Sequence, residues 1–400
     1  MRVLILLFLF CAFGARAEAQ CLTRVDDIQL SEQSVISLIT VSTGKDIASH
    51  WGHTALRIQD YANGIDYLYN YGAFRFDKTF VPKFIYGKLD YILCVSHMRE
   101  EVKKYQAQGR SLIEQKLLLS LEERQQVFDF VEFNALPENR TYRYDFLFDN
   151  CSTRVLDLVE DVLGERLVYQ SPLPQQTWRH ILQSYVDAYP LLGFGIDLGL
   201  GLPVDQVPTA RELMGLPIPM MQAYDEALVY IDGIDRPFVT QKDTLLRIDT
   251  SSDPVKARNQ SFLLYGVLWS VFLLSLWITF SKTPKISRLG LWLDRVVFGL
   301  VGLAGMLAAF LWFIALHNVT NYNLNLLWAW PTHVFIVWTI GRQLKIVTSY
   351  MKLCAIVMVV LVAGWIFSPQ PFHTALLPVV LTILVRSASR GWSKPRKFVA

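Results

Sequence analysis

The chain has 400 residues, 52% of them hydrophobic, and its mean hydropathy of +0.29 is high for a protein that lives wholly in water. A formal net charge of +3 is too small to argue for nucleic acid as a partner. Five cysteines occur without a CxxC pair, an HExxH stretch or a clustered His/Cys set, so the sequence offers no metal site and implies no cofactor.

The hydrophobic excess is uneven. Residues 22–259 read as a mixed globular domain, while 262–386 are mostly apolar. Residues 1–19 combine a basic start, a short apolar core and alternating small residues, the pattern of a secretory signal peptide cut after Ala17 or Ala19. An uncleaved anchor would give the same topology. Gln20 stands where a lipobox wants Gly or Ala, so lipidation of Cys21 is not expected. Cys21, Cys94 and Cys151 lie in the exported part and cannot all pair within one chain, so at least one thiol stays free. A Cys21–Cys94 bridge is one arrangement; no bridge at all is another.

Residues 34–43 read as a buried strand ending at Gly44. His53 then opens a run that alternates like a strand, although Ala55 and Leu56 leave the period imperfect, and a further strand follows at 65–71. Asn63-Gly64 between them is a hairpin signal. Paired this way, the strands bring Asn70 or Asp66 within reach of the His53 imidazole. His50, separated from the strand by Trp51-Gly52, reads as a solvated loop residue. Residues 91–95 and 111–119 are further strand candidates. Ser120-Leu121-Glu122-Glu123 is a capping box, and Val127, Phe128, Val131 and Ala135 give the helix after it an apolar face, ended by Pro137.

After Asn150, Val155, Leu158, Val159, Val162 and Leu163 recur at helical spacing as far as Gly164. Asp149 or Asn150 can cap this helix, which puts Cys151 in its first turn, where free N–H groups and the helix dipole favour a thiolate. The plain alternative is a half-buried structural cysteine. Strands first and helices after predict an α+β domain. A cysteine at a helix start, a histidine on a strand and a polar third residue make the thiol form of a nucleophile–base–orienter set.

Residues 190–220 interleave Leu191, Leu192, Phe194, Ile196, Leu198, Leu200 and Leu202 with Gly193, Gly195, Gly199 and Gly201. Such a run fits a buried strand-and-turn segment, or a surface that lines an acyl groove or dips into a bilayer. Residues 251–258 read as a linker. Apolar spans follow at about 262–280, 296–316, 326–341, 353–367 and 372–386, near the roughly 20 residues a crossing needs. Lys282, Lys285, Arg288 and Arg295 fill the first loop, and Arg342, Lys345 and Lys352 the third. Arg386, Arg390, Lys394, Arg396 and Lys397 follow the last span, while the loops at 317–325 and 368–371 hold no Lys or Arg. The positive-inside rule then predicts a membrane domain over 260–390, a basic cytoplasmic tail at 391–400, and an exported side shared by residues 22–259 and the Asn-rich loop. Trp328 and Trp330 in that stretch also suit simple interfacial anchoring.

Two groups of residues carry a family resemblance. Ser49, Trp51-Gly52-His53-Thr54 and Leu56-Arg57-Ile58, then Tyr69-Asn70-Tyr71-Gly72, then Asp149-Asn150-Cys151 resemble the Lnb-type periplasmic domain of Bacteroidota. That domain is similar to the circularly permuted NlpC/P60 papain-like group that includes lecithin:retinol acyltransferase. His317-Asn318, Thr320, Asn323, Asn325-Leu326-Leu327-Trp328 and Pro331 resemble the loop joining its membrane spans. Trp51 replaces the Phe usual before Gly-His. The resemblance implies a permuted NlpC/P60 papain-like domain followed by a multi-span helical membrane domain in the bacterial inner membrane. It implies a lipoprotein N-acyltransferase with Cys151 as nucleophile, His53 as base and Asn70 as orienter. His317, Asn323, Asn325 and Trp328 would serve the substrates, a phospholipid acyl donor and a diacylglyceryl-lipoprotein acceptor. The alternative is a thiol amidase or peptidase on cell-wall peptides, which has no need of five spans.

Overall fold

The computed structural model describes residues 21, 28–46, 49–74, 78–170, 172, 174–249, 254–281, 283–342 and 344–392. The predicted signal peptide at 1–19, the linker residues 250–253 and the tail from 393 onward lie outside them. The chain divides into two compact units, Met1–Gln175 with Pro208–Ser251, and Gln176–Val207 with Ser252–Ala400.

In the first unit, near-continuous apolar runs build a sheet covered on both faces. Its strands are β1 (Val35–Val41), β2 (His53–Asp60), β3 (Ile65–Ala73), β4 (Asp90–His97), β5 (Leu112–Leu117) and β6 (Thr141–Arg143). β7 (Leu167–Val168), β8 (Leu228–Ile231) and β9 (Ile234–Pro237) form a small second sheet, and β10 (Val239–Leu246) returns to the edge of the first. The main sheet is antiparallel in the order β10-β5-β1-β2-β3-β4-β6. Asn63-Gly64 makes the predicted turn, with Gly64 left-handed at φ 67° after a short 3-10 stretch.

The helices are α1 (Phe80–Tyr86), α2 (Met98–Ala107), α3 (Leu121–Ala135) and α4 (Cys151–Leu163). Ile36, Leu38, Leu56 and Ile58 face α3 and α4, joining Val127, Phe128, Val131, Val155 and Val159. Ile39, Val41, Ala55 and Leu68 face the other way, toward Met98 and Tyr105 of α2. The imperfect alternation around Ala55 and Leu56 follows from this: with both faces covered, neither parity has to be polar. Each fully buried Leu or Ile contributes about 1.5–3 kcal/mol relative to exposure. The capping box at Ser120 forms as predicted, and Cys21 is bridged to Cys94, leaving Cys151 a free thiol.

Among the described residues, the second unit contains four helices long and apolar enough to cross a membrane, Val255–Phe280, Ile286–Phe313, Lys345–Ala363 and Thr374–Trp392. With it pack the residues 176–207, which the sequence reading kept with the exported part. There the Gly-rich run is not a strand. Trp178–Ser184 (α5) and Pro190–Gly199 (α6) are helices, and buried Arg179 of α5 pairs with Asp197 at 2.5 Å and Asp205 at 2.7 Å. The long helices are α7 (Pro254–Phe280), α8 (Pro284–Phe313), α9 (Lys345–Ala363) and α10 (Leu377–Trp392).

The predicted third span, 326–341, is not a continuous helix. It opens with a 3-10 turn, Leu324–Leu327, and holds only one α-turn, His333–Ile336. Its backbone nevertheless runs antiparallel to α8. A Cβ on Gly305 would stand 2.0 Å from the Ala329 carbonyl oxygen, and one on Gly302 2.7 Å from the Val334 nitrogen, while Gly341 lies against Leu291. Small residues let the irregular backbone press onto the helix. Arg386 also differs from expectation. It does not follow the last span but is buried within α10, 2.5 Å from Asp294 of α8, which also receives Arg390 at 2.6 Å.

Candidate active site

Asn150 begins the site by capping α4. Its side-chain oxygen accepts from the N–H groups of Ser152 (2.7 Å) and Thr153 (3.1 Å), and the Thr153 hydroxyl accepts from the Asn150 N–H (2.8 Å). Its amide nitrogen donates to the carbonyls of Phe146 and Gly215. Asp149 instead pairs with Arg154. Cys151 is therefore the first residue of the helix, and the cap takes the N–H groups of Ser152 and Thr153 but not that of Cys151.

Adjacent residues of a strand point to opposite faces, and β2 uses both. Thr54 faces α4, where its hydroxyl meets that of Ser152 at 2.8 Å, both side chains being fully buried. This bond locks the neighbour of His53 to the neighbour of Cys151. His53 itself faces the α2 side, where its Nε2 lies 3.1 Å from Asn70 Oδ1. Gly72 lies beside both side chains. A Cβ there would stand 3.9 Å from Cys151 Cβ and 3.9 Å from His53 Cε1, so these two atoms cannot be further apart than twice that distance. Gly72 has φ 102°, a conformation L side chains rarely adopt.

Thus Cys151, His53 and Asn70 come together as the sequence suggested. Asp66, the other candidate partner, is taken by Arg57 at 2.8 and 3.0 Å. His50 is not a solvated loop residue: it is 2% exposed, and its Nδ1 lies 2.8 Å from the Gly44 carbonyl oxygen. Sequence reasoning missed Arg110, which is buried, donates from Nε to the Ser42 carbonyl (2.8 Å) and acts electrostatically on both His53 and Cys151. It also missed the tyrosines beside the thiol, with Tyr91 stacked on Tyr144 at 4.1 Å and Tyr142 against Tyr71 at 6.0 Å. Aromatic residues at strand spacing look like ordinary core, so no local signal marks them.

Burial is the largest influence on both ionisable groups. It pushes the Cys151 thiol up, against hydrogen bonds from the Thr54 backbone, the Ser152 hydroxyl and the first N–H groups of α4. Burial and then the charge of Arg110 push His53 down to about 3, opposed by the hydrogen bond to Asn70, with Lys104 lowering it further. The expectation that the helix start favours a thiolate is therefore outweighed by desolvation. The resting pair is a neutral thiol beside a neutral imidazole.

The loop residues singled out in the sequence lie in the second unit. Asn323, Asn325 and Trp328 are buried. Asn323 and Asn325 donate to the Leu198 carbonyl at the end of α6 (2.8 and 3.2 Å), and Trp328 Nε1 donates to Asn325 Oδ1 (3.0 Å). Gln370 joins them, accepting from the Leu324 N–H and donating to the Leu200 carbonyl. His317 is half-buried, and its carbonyl accepts from the Thr320 hydroxyl. Among the described residues, no group of three or more His, Cys, Asp or Glu side chains is arranged to hold a metal ion.

Among curated proteins and solved structures none matches the chain. Two family descriptions do. Residues 25–184 match the Lnb N-terminal periplasmic domain, and residues 259–397 match the Lnb transmembrane domain. Carrying both domains in this order, the chain belongs to the Lnb family, membrane enzymes that modify lipoproteins.

Proposed function

We propose that this chain is a thiol acyltransferase that moves a fatty acyl group from a phospholipid to the N-terminal amine of a diacylglyceryl lipoprotein. The observation that carries the reading is the meeting of Cys151 and His53 across Gly72, with Nε2 of His53 engaged by Asn70. With Nε2 donating to an amide oxygen, Nδ1 is the imidazole's acceptor. His53 takes the thiol proton as Cys151 sulfur attacks the acyl ester carbonyl, and returns it to the alkoxide as the C–O bond to the lysophospholipid breaks. A thioester remains on Cys151. The lipoprotein α-amine attacks it, an amide forms, and the proton passes through His53 back to the sulfur. The N–H of Cys151 at the start of α4 is the donor available to the oxyanion, and Arg110 favours the negative charge as it develops.

Asn70 acts as orienter. Asn323, Asn325 and Trp328 serve the substrates indirectly, by fixing the carbonyl end of α6 and so the shape of the outer loop; His317 is the residue of that loop proposed nearest the lipid headgroups. A catalytic unit joined covalently to membrane spans meets lipid substrates at raised effective concentration. In this reading the catalytic unit lies on the periplasmic side of the inner membrane and the C-terminus in the cytoplasm. A cell-wall amidase would use the same thiol chemistry, and the Lnb transmembrane domain argues against it.

The test is to give the purified full-length protein labelled phospholipid and read the Cys151 peptide by mass spectrometry. An acyl adduct that forms without any lipoprotein acceptor, and is absent in Cys151→Ser, is expected. Cleavage of muropeptides with no acyl adduct would replace this reading with the amidase.

A further inference from the structure

The hydrogen bonding of His53 does not end at Asn70. Asn70 Nδ2 donates to Ser96 Oγ at 3.3 Å, and Ser96 Oγ donates to Glu101 Oε1 at 3.0 Å. Ser96 lies on β4, paired with Leu68 one turn of the pleat from Asn70, and Glu101 is in the first turn of α2. Glu101 is 5% exposed, and Lys104 Nζ reaches both its oxygens, at 3.2 and 3.0 Å. None of these four groups is on the helix that carries the thiol.

The direction of these bonds can be deduced from one end. The oxygen and nitrogen of an asparagine amide are nearly the same size, so its partners decide which way it is turned. A carboxylate ion-paired to Lys104 only accepts, so the Ser96 hydroxyl proton points at Glu101. Toward Asn70, Ser96 then offers only lone pairs, which call for Nδ2. Oδ1 is left to face the imidazole, and an oxygen there requires the ring proton on Nε2. Nδ1 is then bare. With the hydroxyl gone, nothing prevents a half-turn of the amide. An NH2 facing the ring would move the proton to Nδ1 and block the base.

We propose that Ser96 and Glu101 are positioning residues, a one-way donor chain that keeps the Asn70 amide from turning over and so holds His53 in the tautomer able to accept the Cys151 proton. The proposal rests on the thiol–imidazole reading given above and adds how that pair is kept competent. The charges that bear on His53 are those of Arg110 and Lys104, and removing the Ser96 hydroxyl changes neither.

The experiment measures alkylation of Cys151 by iodoacetamide in the full-length protein between pH 5 and 9, read on the Cys151 peptide. Compared are the unaltered protein, Ser96→Ala, Ser96→Thr, and Ser96→Ala combined with Asn70→Asp. Ser96→Ala is expected to slow alkylation at pH 7 by about tenfold or more, part of what a positioned base supplies. Ser96→Thr keeps the hydroxyl and is expected to keep the rate. The double variant is expected to alkylate at least about threefold faster than Ser96→Ala, because both oxygens of an aspartate accept and its orientation no longer matters. A purely structural serine would not be rescued in this way. An unchanged profile in Ser96→Ala overturns the proposal, and so does a double variant as slow as the single one. Acylation by labelled phospholipid is followed in parallel. A protein whose alkylation depends on Ser96 but which never forms an acyl adduct keeps the donor chain and rejects the acyl-transfer reading.

Discussion

At the residue scale the pair begins neutral, and this has a consequence for pH. An ordinary histidine gains its proton near 6.5, and a general base stops working there. His53 is pushed down to about 3, first by burial and then by Arg110. The imidazole therefore stays an acceptor through the weakly acid range. On the proposed function, the half-reaction that would load Cys151 from phospholipid is expected to run at a nearly constant rate from pH 8 to pH 5, measured as single-turnover acylation without an amine acceptor. An acid limb centred near 6.5 would mean that His53 is solvated and that the dominant cause named here is wrong. Folding is linked to the same group. Its depressed folded value means that the unfolded chain binds the extra proton first, so His53 withdraws stability as pH falls from about 6.5 toward 3. The residues were legible to different degrees for physical reasons. Cys151 announces itself by its place before a periodic run, and His53 by the glycine before a strand. Ser96 and Glu101 matter only through tertiary contacts, and neither has a local pattern to mark it.

At the scale of elements, the thiol and the imidazole are carried by α4 and β2, and the bond between Thr54 and Ser152 sets their register. Both hydroxyls are fully buried, so deleting one leaves the other without its partner. Ser152→Ala is expected to destabilise the first unit by about 1–3 kcal/mol, the usual effect of orphaning a buried polar group. It is also expected to lower the acylation rate of the surviving folded protein, because α4 can then slide against β2 and the Cys151 thiol loses the bond from the Ser152 hydroxyl. Thermal unfolding and single-turnover acylation measure the two effects; a loss of stability with full acylation would show that the bond has no part in alignment. Strands β1 to β5, the capping box and α4 follow from periodicity and cap chemistry, as does the alternation by which Tyr69 and Tyr71 face α3 and α4 while Asn70 faces α2. α2 was missed because Arg99-Glu100-Glu101-Val102-Lys103-Lys104 reads as a solvated charge run. Its helix forms because Met98 and Tyr105 anchor it to the sheet, a contact visible only after folding. β8 to β10 were missed because they are short or exposed, with little apolar alternation to detect.

At the scale of the whole molecule, the open matter is how many times the chain crosses the bilayer. Four helices qualify by length and hydropathy, and an even count would place Arg342 and Lys345 on the same side as the Asn-rich loop. The charge pattern requires them on opposite sides. The segment after Trp328 resolves the conflict if it crosses without being a continuous helix. From Gly305 back to Leu291, the stretch of α8 it follows, a helix rises about 21 Å, most of a hydrocarbon core. Irregular backbone is tolerated at that depth only where protein covers it, and the glycines of α8 provide the close cover. Sequence hydropathy points to a crossing at 326–341 but does not reveal its broken form, because apolar content does not report where backbone hydrogen bonds go. Cysteines introduced at Tyr322 and Arg342, both exposed, test this directly. In intact cells a membrane-impermeant maleimide is expected to label Tyr322→Cys and to leave Arg342→Cys untouched until the inner membrane is opened. Labelling of both from outside would make the segment re-entrant and turn α9 and α10 over. The basic residues around Lys352 and Arg390 would then face outward against the charge rule, and the C-terminus could no longer be assigned to the cytoplasm.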